Sequence, residues 1–161
     1  MRTASDKLNT QPQSDAGAGI DSAKGHRLVV PNRFSELRCA SQWVRSFVLE
    51  RQFERQVADW LELSVNEALT NIMSYAYSDD APHDIVVALY AQPDRICVEL
   101  EDDGKPFNPL DLPVEEPAKN LEKSRPTGRG ITLMRNLMDE LHYVRRDSRN
   151  VLTMILRTAR A

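Results

Sequence analysis

Glu67 and Asn71 stand four residues apart in the stretch Glu62 to Tyr77, ELSVNEALTNIMSYAY. Four residues is close to one helical turn, so both side chains project from one side of a helix. A carboxylate and a carboxamide at that spacing suit magnesium and phosphate chemistry. The amide oxygen can take one position on a hard octahedral cation, and the carboxylate can serve as a base nearby. Taken alone, the pair is more simply read as two ordinary polar residues on a half-exposed helix. Asp102 poses a sharper question. Ile96, Val98 and Leu100 alternate with Cys97, Glu99 and Glu101, and continuing the period of two puts Asp102 on the apolar side. An unpaired charge facing a core is costly, so this carboxylate needs a hydrogen-bond partner, from the protein or from a ligand. Gly128-Arg129-Gly130 runs directly into the apolar-periodic stretch Ile131 to Met138. Glycines ahead of a helix let backbone N–H groups approach an anion at the positive end of the dipole, although many helices open on glycine for steric reasons alone.

The elements that must carry these residues follow from periodicity. Leu61, Val65, Ala68, Leu69, Ile72 and Ala76 form one apolar stripe on a central helix that enters near Glu54 to Gln56. Before it, His26 to Val30 reads as a first strand ended by Pro31-Asn32. Ser35 is then a cap for an amphipathic helix through Leu37, Ala40, Val44, Phe47 and Val48, ending near Arg51. The turn cluster Ser78-Asp79-Asp80-Ala81-Pro82 leads to a hairpin, Asp84 to Ala91 and Arg95 to Glu101, joined through Gln92-Pro93-Asp94. Lys105 to Thr127 carries five prolines and reads as a lid or binding loop, or else as a disordered insertion. Leu141 to Arg146 and Val151 to Arg157 form a last hairpin, turning at Asp147-Ser148-Arg149-Asn150. Residues 1–25 are polar with scarcely any large apolar side chain, which predicts a disordered tail ahead of one domain over residues 26–161.

Composition narrows the classes. The chain of 161 residues carries a net charge of −3 and no basic block, so nucleic acid is not expected as a partner. No apolar run approaches membrane-spanning length and no signal-peptide core is present, so no membrane association is expected and the expectation is a cytoplasmic protein. The two cysteines, Cys39 and Cys97, make no CxxC pair and read as buried free thiols. The three histidines show no metal-ligand spacing.

The order of the three signals is more specific than any one of them. ELSVNEALTNIMSYAY, ICVELEDDGKPFNP and RPTGRGITLMRNLMDEL together resemble the nucleotide site of the GHKL, or Bergerat-fold, ATPases. More narrowly they resemble the anti-sigma factor serine kinases, the RsbW-like switch proteins, over about Leu28 to Arg157. The resemblance implies a two-layer α/β sandwich, a mixed and mostly antiparallel sheet covered on one face by about three helices. It implies ATP and Mg2+ as cofactors. Asn71 would then be the magnesium ligand and Glu67 the general base. Asp102 would accept a hydrogen bond from the adenine amine, with Gly104 letting the chain pass close to the base. Gly128 and Gly130 would lie beside the phosphates, and Thr153 would help to hold adenine. Pro106 departs from the second glycine of the broader superfamily and matches the D-G-x-P-F form of the switch kinases. Arg125 and Arg129 are both candidates for phosphate contact.

The same resemblance implies a protein serine/threonine kinase acting by partner switching. Its substrate would be a STAS-domain anti-anti-sigma protein, its second partner a sigma factor or an equivalent target, and its state a homodimer. The competing expectation is a catalytically weak nucleotide-binding interaction module that regulates by partner capture alone. Glu67 separates the two, because a binding-only module has no use for a base there.

Overall fold

The computed structural model of the chain describes residues 25–112 and 126–158. The expected tail and most of the expected lid lie outside the described residues. Five strands and three helices follow in order: β1 (His26–Pro31), α1 (Leu37–Glu50), α2 (Arg55–Tyr75), β2 (Asp84–Gln92), β3 (Arg95–Asp102), α3 (Pro126–Leu137), β4 (Glu140–Arg146) and β5 (Arg149–Arg157). Short 3-10 turns precede α1 at Phe34–Glu36 and follow β3 at Pro109–Asp111. Ser35 falls inside the first of these turns and does not cap α1.

The strands lie in the order β1-β2-β3-β5-β4. All four pairings are antiparallel, where the resemblance implied a mixed and mostly antiparallel sheet. Register sorts its side chains. Ile85, Val87 and Leu89 of β2 share the inner face with Ile96, Val98 and Leu100 of β3, and with Leu152, Met154 and Leu156 of β5. These pack on Val44 and Val48 of α1, on Leu61, Val65, Leu69 and Ile72 of α2, and on Ile131 and Met134 of α3 in one continuous core. The helices therefore form one layer and the sheet the other, because only that arrangement buries the helical stripes and the alternating strand faces together.

Two departures from the expected bounds affect the site. The last hairpin closes in a two-residue turn, Asp147-Ser148, with φ of 51° and 62°. That is the backbone of a primed hairpin turn, whose twist suits the flanking strands. It frees Arg149 and Asn150 to be strand residues. And α3 begins at Pro126, so Gly128 and Gly130 are inside its first two turns and not ahead of it. Cys97 is buried, whereas Cys39 is exposed, contrary to the sequence reading of both as buried.

Candidate active site

At one end of the sheet a narrow pocket opens between α2 and the strand ends. It is lined by Asn71 and Ile72 of α2, Asp102 of β3, Phe107, and Asn150 and Leu152 of β5. Asp102 is 3% exposed and shares the inner face with Leu100 and Leu152, as the period of two requires. Its partners come from the protein. Gly104 N–H donates to Asp102 Oδ1 at 2.9 Å, and Asn150 Nδ2 donates to the same oxygen at 2.9 Å. Burial pushes the Asp102 carboxyl above its ordinary range. The hydrogen bonds from Asn150 and Gly104 pull the other way, Asp103 next along the chain adds to the rise, and Arg145 opposes it. A carboxylate held at this cost, with both protein donors on one oxygen, is well placed to accept from a ligand in the pocket.

Asn71 stands at the opposite wall, 5% exposed, and its Nδ2 has no hydrogen-bond partner. A buried NH2 left unpaired is costly, and an acceptor on a ligand such as a phosphate oxygen would satisfy it; a cation would be held by the other atom, Oδ1. Glu67 lies one turn earlier on the same helix and faces α3: a Cβ added to Gly130 would run into its Oε2. Gly130 therefore leaves the Glu67 carboxylate its present place against α3, and a side chain there would make it shift. Gly104 is required for a different reason. A Cβ there would sit 2.6 Å from both Ala76 Cβ and Ala76 O, where Lys105 N–H donates to Ala76 O at 2.8 Å and ties the chain after β3 to the end of α2. Gly128 is in the first turn of α3. Arg129 is exposed on α3, and Arg125 lies outside the described residues.

The structure thus gathers Asn71 and Asp102 around one pocket, and brings Glu67 and Gly130 together beside it. It does not bring Thr153. In the register of β5, Thr153 pairs with Glu99 on one side and His142 on the other, on the sheet face turned away from the helices. The expected adenine contact from Thr153 is corrected on that ground: Asp102 and Leu152 are on the inner face, and neighbouring residues of a strand point to opposite faces. The residue that sequence reasoning missed is Asn150, 3% exposed and opposite Asp102 across the β3–β5 ladder. Counting the period of two back from Leu156, Met154 and Leu152 places Asn150 on the inner face, and that signal was available once the turn was shortened.

As to cofactors, the donor set fits a nucleotide and its metal. Among the described residues no group of three or more His, Cys, Asp or Glu could hold a metal by itself. A magnesium ion here would take one protein oxygen from Asn71 and draw its remaining ligands from phosphates and water, which is this ion's habit.

A two-layer sandwich with the helical layer on one face of an antiparallel sheet carries, at the strand ends, a largely apolar pocket with one buried carboxylate and one buried carboxamide, an arrangement that suits a heterocyclic base. The family model described as histidine kinase-like ATPase domain matches residues 30–156, and the chain belongs to that family. Within it the chain is 30% identical over 120 residues to the serine/threonine-protein kinase BtrW of Bordetella bronchiseptica, covering 74% of this chain and 84% of that one. It is 31% identical over 85 residues to the serine-protein kinase RsbW of Bacillus subtilis, covering 50% of this chain and 53% of that one. It is 25% identical over 104 residues to the anti-sigma F factor of Oceanobacillus iheyensis, covering 63% and 69%. The chain thus spans most of BtrW and about half of RsbW. Among the described residues no helix is long and apolar enough to cross a membrane.

Proposed function

We propose that this chain is an ATP- and magnesium-dependent protein serine/threonine kinase that works by partner switching, in the cytoplasm. The observation that carries the proposal is the Asp102 carboxylate, buried against a pocket also lined by Asn71, whose Nδ2 has no protein partner among the described residues. In this reading Asp102 accepts from the exocyclic amine of adenine, and Gly104 keeps the backbone close to the base. Asn71 supplies the one protein ligand to the metal. Gly128 and Gly130, in the opening turns of α3, would lie beside the phosphates at the positive end of that helix.

ATP would supply the transferable phosphoryl group, with ADP as the leaving group, and a magnesium ion held by Asn71 would neutralise charge on the phosphates. Glu67 takes the proton from a substrate serine hydroxyl as its oxygen attacks, and Gly130 fixes where that carboxylate can stand. The similarity to named serine kinases and an anti-sigma factor supports a partner-switching substrate and output. The substrate is a STAS-type antagonist phosphorylated on one serine, and the second partner is a sigma factor or its equivalent, bound by a kinase homodimer. A phosphoserine adds about −1.5 to −2 charges at neutral pH, enough to weaken the interface it sits in and release the kinase to that second partner.

The test mixes the protein with labelled ATP, magnesium and candidate STAS proteins. Transfer of label is expected, and Glu67→Ala should abolish it while leaving ATP affinity within about threefold, since a base acts in the transition state and not in nucleotide binding. Tight ATP binding without transfer to any candidate would favour the capture-only module. Transfer that survives Glu67→Ala would remove the base assignment.

A further inference from the structure

Asn150 has every hydrogen-bonding position of its carboxamide occupied by the protein. Its Nδ2 donates to Asp102 Oδ1 at 2.9 Å and to Lys105 O at 3.0 Å. Its Oδ1 accepts from Tyr143 OH at 2.7 Å and from Arg145 Nη1 at 2.8 Å. A carboxamide offers two donors and two acceptor sites, so none is left for a ligand. The pattern also fixes which end is which: two donors face the oxygen, and a carboxylate and a carbonyl face the nitrogen. Arg145 does a second task, donating from the same Nη1 to Gly104 O at 3.0 Å. One small lattice from β4 and β5 therefore grips Asp102 and the two residues that follow Asp103.

We propose that Asn150, held by Arg145 and Tyr143, is the positioning residue that sets amine recognition at Asp102, and through it selectivity for 6-aminopurine nucleotides. The inference rests on the reading of the pocket as an adenine site. Asn150 and Gly104 together saturate Oδ1, which leaves Oδ2 as the oxygen of Asp102 without a hydrogen bond among the described residues. A carboxylate with one oxygen clamped cannot rotate to spread its acceptor strength over both. Its remaining lone pairs keep one direction, and a single N–H donor placed there is rewarded while a purine lacking it is not. Arg145, bonded to Asn150, favours the ionised form of Asp102, against the neighbouring Asp103 carboxylate. The amide passes that polarisation on through its own dipole. A residue that merely filled space at the end of β5 would need none of these four bonds.

The experiment compares two nucleotides, ATP and purine riboside triphosphate, which lacks the 6-amine, with magnesium present. Binding is measured by calorimetry on the full chain. For the unaltered protein the ratio of affinities is expected to be about tenfold or more in favour of ATP, the worth of a hydrogen bond to a charged group. In Asn150→Ala the ratio should fall to within about twofold of unity, with ATP losing affinity and the amine-free analogue changing little. Arg145→Met lies at a half-buried site and keeps the Asn150 carboxamide, so it provides a variant that folds if the first does not. Its ratio should fall too, by less. A purely structural role would weaken both nucleotides alike and leave the ratio where it was. An unchanged ratio in either folded variant overturns the inference while leaving the nucleotide site intact. A ratio near unity in the unaltered protein would remove adenine recognition by Asp102 and this inference with it.

Discussion

Because Gly104 N–H and Asn150 Nδ2 both donate to Oδ1 of Asp102, the substitution Asp102→Asn can keep both bonds and change only the other atom, from an acceptor into an NH2 donor. Its effect on the nucleotide is thereby separated from its effect on the fold. Calorimetry should show ATP affinity lower by about tenfold or more, since a donor would face the adenine amine where an acceptor stood. Stability should move the other way. Burial holds the folded-state pKa of Asp102 above its unfolded value, so the native state binds more protons and the residue's contribution falls as pH rises from about 3.9 through that raised value. Thermal melts at neutral pH should therefore place Asp102→Asn at or above the unaltered protein, with the difference closing as pH drops below about 3.9. A variant that loses stability at neutral pH, with ATP affinity unchanged, would contradict both halves of this account.

At the scale of elements, two glycines test how α2 holds its neighbours. Gly104→Ala would press a methyl against the Ala76 carbonyl and side chain at the end of α2. Backbone cannot swing aside, so a loss of about 1–3 kcal/mol is expected in denaturant melts, the range for overpacking. Gly130→Ala meets instead the far end of the Glu67 side chain, which can move. Alanine is about 1 kcal/mol better than glycine within a helix, so stability should hold or rise. Phosphoryl transfer should fall at least tenfold, because the base has been displaced. The same elements explain what the sequence could and could not disclose. The placement of Asp102 on the inner face was legible because Ile96, Val98 and Leu100 precede it at every second position of one strand. Asn150 was not, because asparagine after Asp-Ser-Arg reads as turn chemistry, and only the two positive φ values at Asp147 and Ser148 show how short the turn is. The misplacement of Thr153 has a related cause: a match of residue types along a strand says nothing of face, and one step along β5 reverses it. The glycines of α3 were legible as a pair, but proline at its start, Pro126, extends the helix around them.

For the molecule as a whole, the sandwich was legible from helical stripes and strand alternation, whereas ties between distant segments were not. One such tie is at His83. Its Nε2 lies 2.7 Å from Asp79 Oδ1 in the turn before β2, and its Nδ1 is 3.4 Å from Asp103 Oδ1 beside the pocket. The ring also stacks on Tyr77 with centroids 4.1 Å apart. The bond to Asp79 raises the His83 pKa, with burial opposing it and Asp103 adding to the rise. A raised folded value means that the stabilisation is fully present below about 6.5 and is lost as pH rises through the folded value. Melting temperature should accordingly decline on going from about pH 6 to about pH 9, and His83→Asn should flatten that decline. An equal slope in the variant would assign the pH dependence elsewhere. The central claim, that a nucleotide occupies the pocket between α2 and the ends of β3 and β5, is tested most directly by amide NMR of the labelled protein during titration with magnesium and ATP. The side-chain NH2 of Asn71 and the backbone amides of Asp102, Gly104 and Gly130 should move together and saturate at one concentration, while Thr153 on the opposite sheet face stays still. Stationary Asn71 and Asp102 signals in the presence of saturating nucleotide, or shifts gathered around Thr153 instead, would contradict it.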